Sequence, residues 1–186
     1  MSDSSSATTY LLLHMEGDNN STTFIDNGIF QKNITRHGNT KISTTQSKWG
    51  NGSAYFDGNE DYLSVPSDNL NFGSFDFTIE CYIYISGWAS SNSGYYSSII
   101  CAKDASALNG REFAFQINGT SNSFTSIAFT GFNTNSSYTI ITGAFNFSLN
   151  TTYLVAVKYT FNSATTTDDE VKLWVNPVLD GTEPAA

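Results

Sequence analysis

The sequence predicts an all-β chain built as a sandwich of two antiparallel sheets, and three observations predict it. The first is composition: the chain holds 14 Phe and 10 Tyr against only 13% charged residues, with Ser, Thr, Asn and Gly filling most of the remainder. Aromatic and β-branched side chains suit a pleated surface, small polar residues suit tight turns, and Ala, Leu, Glu and Lys, which build helices, are scarce. The second is spacing, because short apolar runs recur at roughly ten- to fifteen-residue intervals with turn signals between them. The third is the segment Phe77–Ile85, which alternates strictly. Phe77, Ile79, Cys81, Ile83 and Ile85 share one face, and Thr78, Glu80, Tyr82 and Tyr84 share the other.

Taken in order, the first strand signal is the run Tyr10–Met15, closed by Glu16-Gly17-Asp18-Asn19-Asn20, which has a turn composition. Thr22–Asp26 and Lys41–Thr45 are short β-branched or aromatic stretches. Ser53–Phe56 and Tyr62–Val65 flank Asp57-Gly58, a hairpin cue, and Pro66 stops the second of them. After Phe77–Ile85, the segment 86–96 is rich in Ser, Asn, Gly and Tyr and reads as an exposed loop. Ser97–Ala102, Glu112–Asn118, Ser126–Phe132, Tyr138–Thr142, Tyr153–Phe161 and Glu170–Val175 complete the series. No window has a helical period, no internal repeat appears, and no linker divides the chain. The organisation expected is a flexible segment over 1–9 and one domain over 10–186, a length that can bury a real core.

Charge excludes some partners. The formal net charge is -9 and lysine and arginine form no cluster. Nucleic acid and anionic membranes both require a basic stripe, so neither is an expected partner. Tyr10–Met15 is too short for a signal core or a membrane span.

The two cysteines are too few for a disulfide framework and lack zinc spacing. If Phe77–Ile85 and Ser97–Ala102 pair around the 86–96 loop, Cys81 and Cys101 are equidistant from its centre. They would then face each other at about 4.5–5.5 Å between Cα atoms, within reach of a cross-strand disulfide. The competing reading is two buried free thiols.

Several segments resemble a known family. Leu11-Leu12-Leu13-His14-Met15-Glu16-Gly17 followed by Thr23-Phe24-Ile25-Asp26 resembles the opening of laminin G-like domains of the concanavalin A-like superfamily. Gln46-Ser47-Lys48-Trp49-Gly50-Asn51-Gly52-Ser53-Ala54-Tyr55-Phe56-Asp57-Gly58 is similar to that family's next segment. Asp61–Pro66 and Phe75–Glu80 resemble its following strands, and Lys172–Asn176 with Leu179-Asp180-Gly181 resembles a late strand and turn. The resemblance covers 10–85 well and 153–181 moderately. It implies a two-sheet jelly roll and places Trp49 and Trp174 in the core. The family continues with one or two strands after the late turn, whereas this chain stops at Pro184-Ala185-Ala186. The resemblance therefore implies a sandwich lacking its last strand: either the chain is a fragment, or a neighbouring chain or domain covers that edge.

Hydrolases of this superfamily carry two or three carboxylates at alternate positions of one strand, which sets acid and nucleophile on one face. Here Phe77–Ile85 and Glu112–Asn118 offer one each, Glu80 and Glu112. The histidines, His14 and His37, accompany no nucleophile motif. His14 alternates with Leu11 and Leu13 as a sandwich residue does, and His37 reads as a loop residue. The chain is expected not to be an enzyme. Asp57, Asn59 and Asp61, with Glu60, place several oxygens in one turn, the donor type calcium needs. The plainer reading is a solvated turn whose Asp-Gly serves geometry. Sugar recognition uses aromatic faces with nearby polar groups. Trp88, Tyr95 and Tyr96 are the exposed aromatics best suited to it, with Glu80, Tyr82 and Tyr84 lining a strand face. Cross-strand packing is the competing role for those tyrosines.

Domains with such an opening occur in bacteriophage fibres and other virion proteins and in large secreted bacterial proteins. The expected function is a non-catalytic structural or adhesion module of a phage particle, in a fibre, spike or capsid decoration. Its partners would be other virion chains and weakly bound cell-surface glycans. The resemblance implies a homo-oligomer on a virion surface or in an extracellular setting. The alternative is a carbohydrate-binding domain of a secreted bacterial protein.

Overall fold

In a computed structural model, the protein is described over residues 8–68, 70, 76–87, 96–102, 113–120, 123–132, 137–160, 169–176 and 178–185. Every regular element among these is a β-strand and every pairing is antiparallel. Where the sequence reading takes 10–186 as one domain, contacts gather into two compact units, Met1–Asn71 and Phe72–Ala186.

The first unit has four three-residue strands, β1 (Thr35–His37), β2 (Lys41–Ser43), β3 (Ser53–Tyr55) and β4 (Tyr62–Ser64). β1 pairs with β4, and β2 pairs with β3. The expected hairpin between Ser53–Phe56 and Tyr62–Val65 is thus not formed: the strands on either side of Asp57-Gly58 belong to different ladders. The expected strands at Tyr10–Met15 and Thr22–Asp26 shrink to the isolated bridges Leu13↔Asp26 and Ile25↔Asn33. Their backbone is held instead by the carboxylate of Asp26, only 3% exposed. Its Oδ1 accepts the N–H groups of Leu12 (2.9 Å) and Gly28 (2.7 Å), and its Oδ2 accepts that of Lys32 (2.8 Å). Gly28 is obligatory there, because a Cβ would lie 2.7 Å from the Tyr10 carbonyl oxygen. Thr9, placed by the sequence reading in the flexible segment, accepts the Ile29 N–H at 3.0 Å. Met1–Ala7 lie outside the described residues.

Ile42, fully buried, is the apolar centre of β2, and its backbone is tied on the far side to Asn20 and Ser21 at 2.8 Å each. Burying such a side chain stabilises by about 1.5–3 kcal/mol. Trp49, expected in the core, is 69% exposed, and the ammonium of Lys48 lies 5.8 Å from its ring centroid.

The second unit has eight strands: β5 (Phe77–Ile85), β6 (Tyr96–Ala102), β7 (Phe113–Thr120), β8 (Ser123–Phe132), β9 (Ser137–Ala144), β10 (Thr151–Thr160), β11 (Asp169–Val175) and β12 (Val178–Ala185). One sheet has the order β12-β11-β10-β5 and the other β6-β7-β8-β9. A single apolar cluster joins them, with Ile85, Val155, Val157, Val171, Leu173 and Val175 from the first and Phe113, Phe115, Ile117, Ile127, Phe129 and Ile141 from the second. The alternation of β5 works as expected: Phe77, Ile79, Cys81, Ile83 and Ile85 pack on this cluster. Phe77 stacks on its ladder partner Tyr159 at 5.2 Å and meets Phe129 of the opposite sheet at 6.0 Å. Beyond β9, Phe145, Phe147 and Tyr153 close one end of the core in edge-to-face contacts of 4.9–5.6 Å.

Three expectations change here. β5 and β6 do not pair: β5 runs beside β10 and β6 beside β7, in different sheets. Cys81 and Cys101 consequently never face each other across a ladder, and both thiols are free. Burial pushes the Cys81 thiol up to about 12, helped by the charge of Glu80, whereas Cys101 is exposed. Leu179-Asp180-Gly181, expected as a turn, lies inside β12. The chain reverses earlier, at Asn176, whose φ is 53°. The Asn176 N–H donates to the Leu154 carbonyl (2.7 Å), and its Oδ1 accepts the Leu154 N–H (3.1 Å). Asn tolerates this left-handed backbone better than most residues. Residues 178–185 thereby supply a strand beyond β11, so the β11 edge is covered by the chain itself. Trp174 is half-buried on the face of β11 opposite Val171, Leu173 and Val175, not in the core.

Candidate functional site

The strongest site in the described residues lies on the β1–β4 ladder of the first unit. Antiparallel register sets His37 directly opposite Tyr62 and Thr35 opposite Ser64. The His37 and Tyr62 rings stack at 4.1 Å between centroids and 7° between planes. The imidazole Nε2 is hydrogen-bonded to Ser64 Oγ at 2.9 Å. His37 is thus a strand residue, not a loop residue, and Tyr62 presents its ring to solvent at 52% exposure.

These rings edge an open pocket of about 510 Å³ lined by His37, Gly38, Glu60 and Tyr62. Gly38, at φ 64°, closes against the segment Glu60-Asp61. A Cβ there would collide with Asp61 Oδ1 and lie 3.0 Å from the Glu60 carbonyl oxygen. The site therefore needs Gly38 both for its left-handed backbone and for its missing side chain.

Of Asp57, Asn59 and Asp61, the oxygens expected to suit calcium, the two carboxylates act as turn acceptors, and Asn59 donates its N–H to one of them. Asp61 Oδ2 accepts the Asp57 N–H at 2.8 Å, and its Oδ1 accepts the Asn39 N–H. Asp57 Oδ1 accepts the Asn59 N–H at 2.8 Å, and its Oδ2 accepts the Asn39 side-chain amide at 3.3 Å. The Asn59 N–H, with the Asn39 amide, holds the Asp57 carboxyl below the usual carboxylate range. The pattern is an Asx turn pinned to the β1–β2 connection. Among the described residues no three His, Cys, Asp or Glu side chains are grouped to hold one metal ion.

His37 and Ser64 satisfy the nucleophile–base distance of a hydrolase. Ser64 is exposed and His37 half-buried, their contact follows from cross-strand register, and among the described residues no third group is seen to orient the imidazole. A cross-strand polar pair accounts for the contact.

The other expected site residues go elsewhere. Trp88 and Tyr95 lie outside the described residues, and Tyr96 opens β6. Glu80 and Tyr82 share the outward face of β5, opposite Ala156 and Leu154 of β10. Tyr82 is 43% exposed, and Tyr84 on the same face donates its hydroxyl to Asn150 Oδ1 at 3.2 Å. His14 is exposed on a non-core face of the first unit. Sequence reading missed the His37–Tyr62 pair because β1 is three residues long and carries no apolar alternation; the Thr-Arg-His stretch gives no strand signal of its own.

A second hollow in this unit, of about 420 Å³, is lined by Phe24, Ile25, Asp26, Asn27, Gln31, Lys32, Asn33 and Ile34. Its one carboxylate, Asp26, is saturated by backbone donors and faces the charge of Lys32. No protein-family model, no curated protein and no solved structure matches this chain.

Proposed function

We propose that this chain is a non-catalytic adhesion module of a bacteriophage particle, displayed on a fibre, spike or capsid surface, that holds glycans weakly. The observation that carries the binding half is the His37–Tyr62 stack, with its exposed Tyr62 ring, beside a pocket that also offers Glu60. Sugar rings dock on aromatic faces while carboxylates accept their hydroxyls, and a shallow site of this kind gives weak single-copy affinity that many displayed copies multiply. The virion setting rests on the resemblance of residues 10–85 to laminin G-like domains. The same reading makes the second unit a jelly roll. In support, β5 crosses to the meander β6–β9 and β10 returns beside β5, a long-range return of the Greek-key kind.

Two measurements test this. Imaging of the intact particle that contains the protein should show it in symmetric copies at the surface; a free monomer absent from any particle defeats the virion reading. Glycan-array binding by the full chain should be weak, rise on multimerisation, and fall on Tyr62→Ala but not Tyr62→Phe. Binding indifferent to Tyr62 defeats the site.

A further inference from the structure

The charge around the ring pair indicates which saccharides fit. The pocket's lining holds one acidic side chain, Glu60, and no lysine or arginine. Glu60 is held with φ at 57°, a left-handed conformation that fixes where its side chain leaves the turn. Behind Gly38 lies the Asp61 carboxylate, which accepts the N–H of Asp57, whose own carboxyl is held below its usual range by the Asn59 N–H and the Asn39 amide. The same lining holds the His37–Tyr62 pair, and aromatic faces attract cations. The hollow around Asp26 provides an internal contrast, since its carboxylate is matched by Lys32 and three N–H donors. At Glu60 the lining supplies no lysine or arginine.

We propose that the His37–Tyr62–Glu60 pocket selects saccharides bearing a protonated amine over neutral or anionic ones. The amino group sits between the Tyr62 face and the Glu60 carboxylate, and the pyranose ring lies along the stacked pair. The inference rests on the glycan-binding reading above and sharpens it to a ligand class. The same groups would repel sialic or uronic acids, because the ligand carboxylate would meet Glu60 with Asp61 close behind it. Lost hydration of like charges, with no lysine or arginine in the lining to offset it, makes that arrangement unfavourable.

The test is calorimetric or NMR titration of the full chain with four probes: glucosamine oligomers, their N-acetylated counterparts, a uronic acid oligomer, and butylamine. The expected result is tightest binding of the glucosamine oligomers, with about a tenfold preference over the N-acetylated series, as a charge-assisted contact provides. That preference should shrink with added salt, vanish in Glu60→Gln, and survive in Tyr62→Phe. Glu60→Gln keeps the shape and the backbone preference, so a correctly folded variant is expected, and unchanged amide spectra of β1 and β4 verify it. Equal binding of the amine and N-acetyl oligomers, unaltered by Glu60→Gln, overturns the charge selection and leaves the glycan reading standing. Butylamine binding as well as the oligomers overturns the saccharide part. Binding of no saccharide at all removes both readings together.

Discussion

The two units of this chain are stabilised by opposite means. Among the described residues, fifteen buried apolar side chains form the core of the second, and in the first only Phe24 and Ile42 are buried apolar residues. The first unit compensates with buried polar groups, Asp26 and Thr40, each serving backbone geometry. Asp26 gathers three N–H groups, and the Thr40 hydroxyl donates to the His37 carbonyl at 2.9 Å. It also carries nine of the ten large hydrophobics that are exposed, among them Ile25, Ile29, Trp49 and Tyr62. Three-residue strands cannot alternate long enough to hide one face, so their apolar residues stay at the surface, where a ring such as Tyr62 can meet a ligand. Nine- and ten-residue strands such as β5 and β10 hide theirs. One unit is shaped by area buried, the other by hydrogen bonds completed.

The largest effect expected from breaking this contrast is in the second unit. Phe115 is fully buried in β7, and Phe115→Ala should destabilise by about 3–5 kcal/mol through lost burial and a cavity. Denaturant unfolding followed by hydrogen exchange of the β7 and β8 amides checks it; a loss under 1 kcal/mol would mean that the two sheets do not share one core. In the first unit, Asp26→Ala removes no significant apolar area yet strands three backbone donors. It should lower local stability by on the order of 2–4 kcal/mol, seen as faster exchange at Leu12, Gly28 and Lys32.

Acid offers a gentler test of the same carboxylate. Burial of Asp26 raises its pKa, but the N–H groups of Leu12, Lys32 and Gly28 and the charge of Lys32 outweigh it, so the folded value lies below the unfolded 3.8. A depressed carboxyl stabilises fully above the unfolded value, and the contribution is lost as pH falls through the folded one. Protection at Leu12, Gly28 and Lys32 should therefore decline below about pH 4, while the apolar core amides of β7 and β10 hold to lower pH. Simultaneous loss in both units would show that Asp26 is not what limits the first. The smallest effect is expected at Trp49, where Trp49→Ala should change stability by no more than about 0.5 kcal/mol, because the ring is mostly in solvent. A thermal shift matching several kcal/mol would restore Trp49 to a core role.

What could be read from the sequence follows the same divide. The β5 alternation, the positions of β6 to β11 within a few residues, and the all-β character of the described residues are legible, because period-two burial over seven or more residues leaves a pattern in one dimension. β12 was not, since Gly181 and Pro184 interrupt it and no alternation marks it. In the first unit β2, β3 and β4 were found, but their partners were not. The Asp-Gly signal marked a real turn whose flanking strands pair elsewhere.

The sequence alone determined the strand class, the inward face of the long strands, the acidic surface and the turn chemistry of Asp57–Asp61. These depend on each residue and its near neighbours. Only the tertiary structure decided which strands pair, that Cys81 and Cys101 belong to different sheets, and that His37, Tyr62, Ser64 and Glu60 meet. Pairing joins residues some twenty-five positions apart. Its free energy comes from burial and ladder bonds completed across that gap, a quantity that no local pattern in the chain encodes.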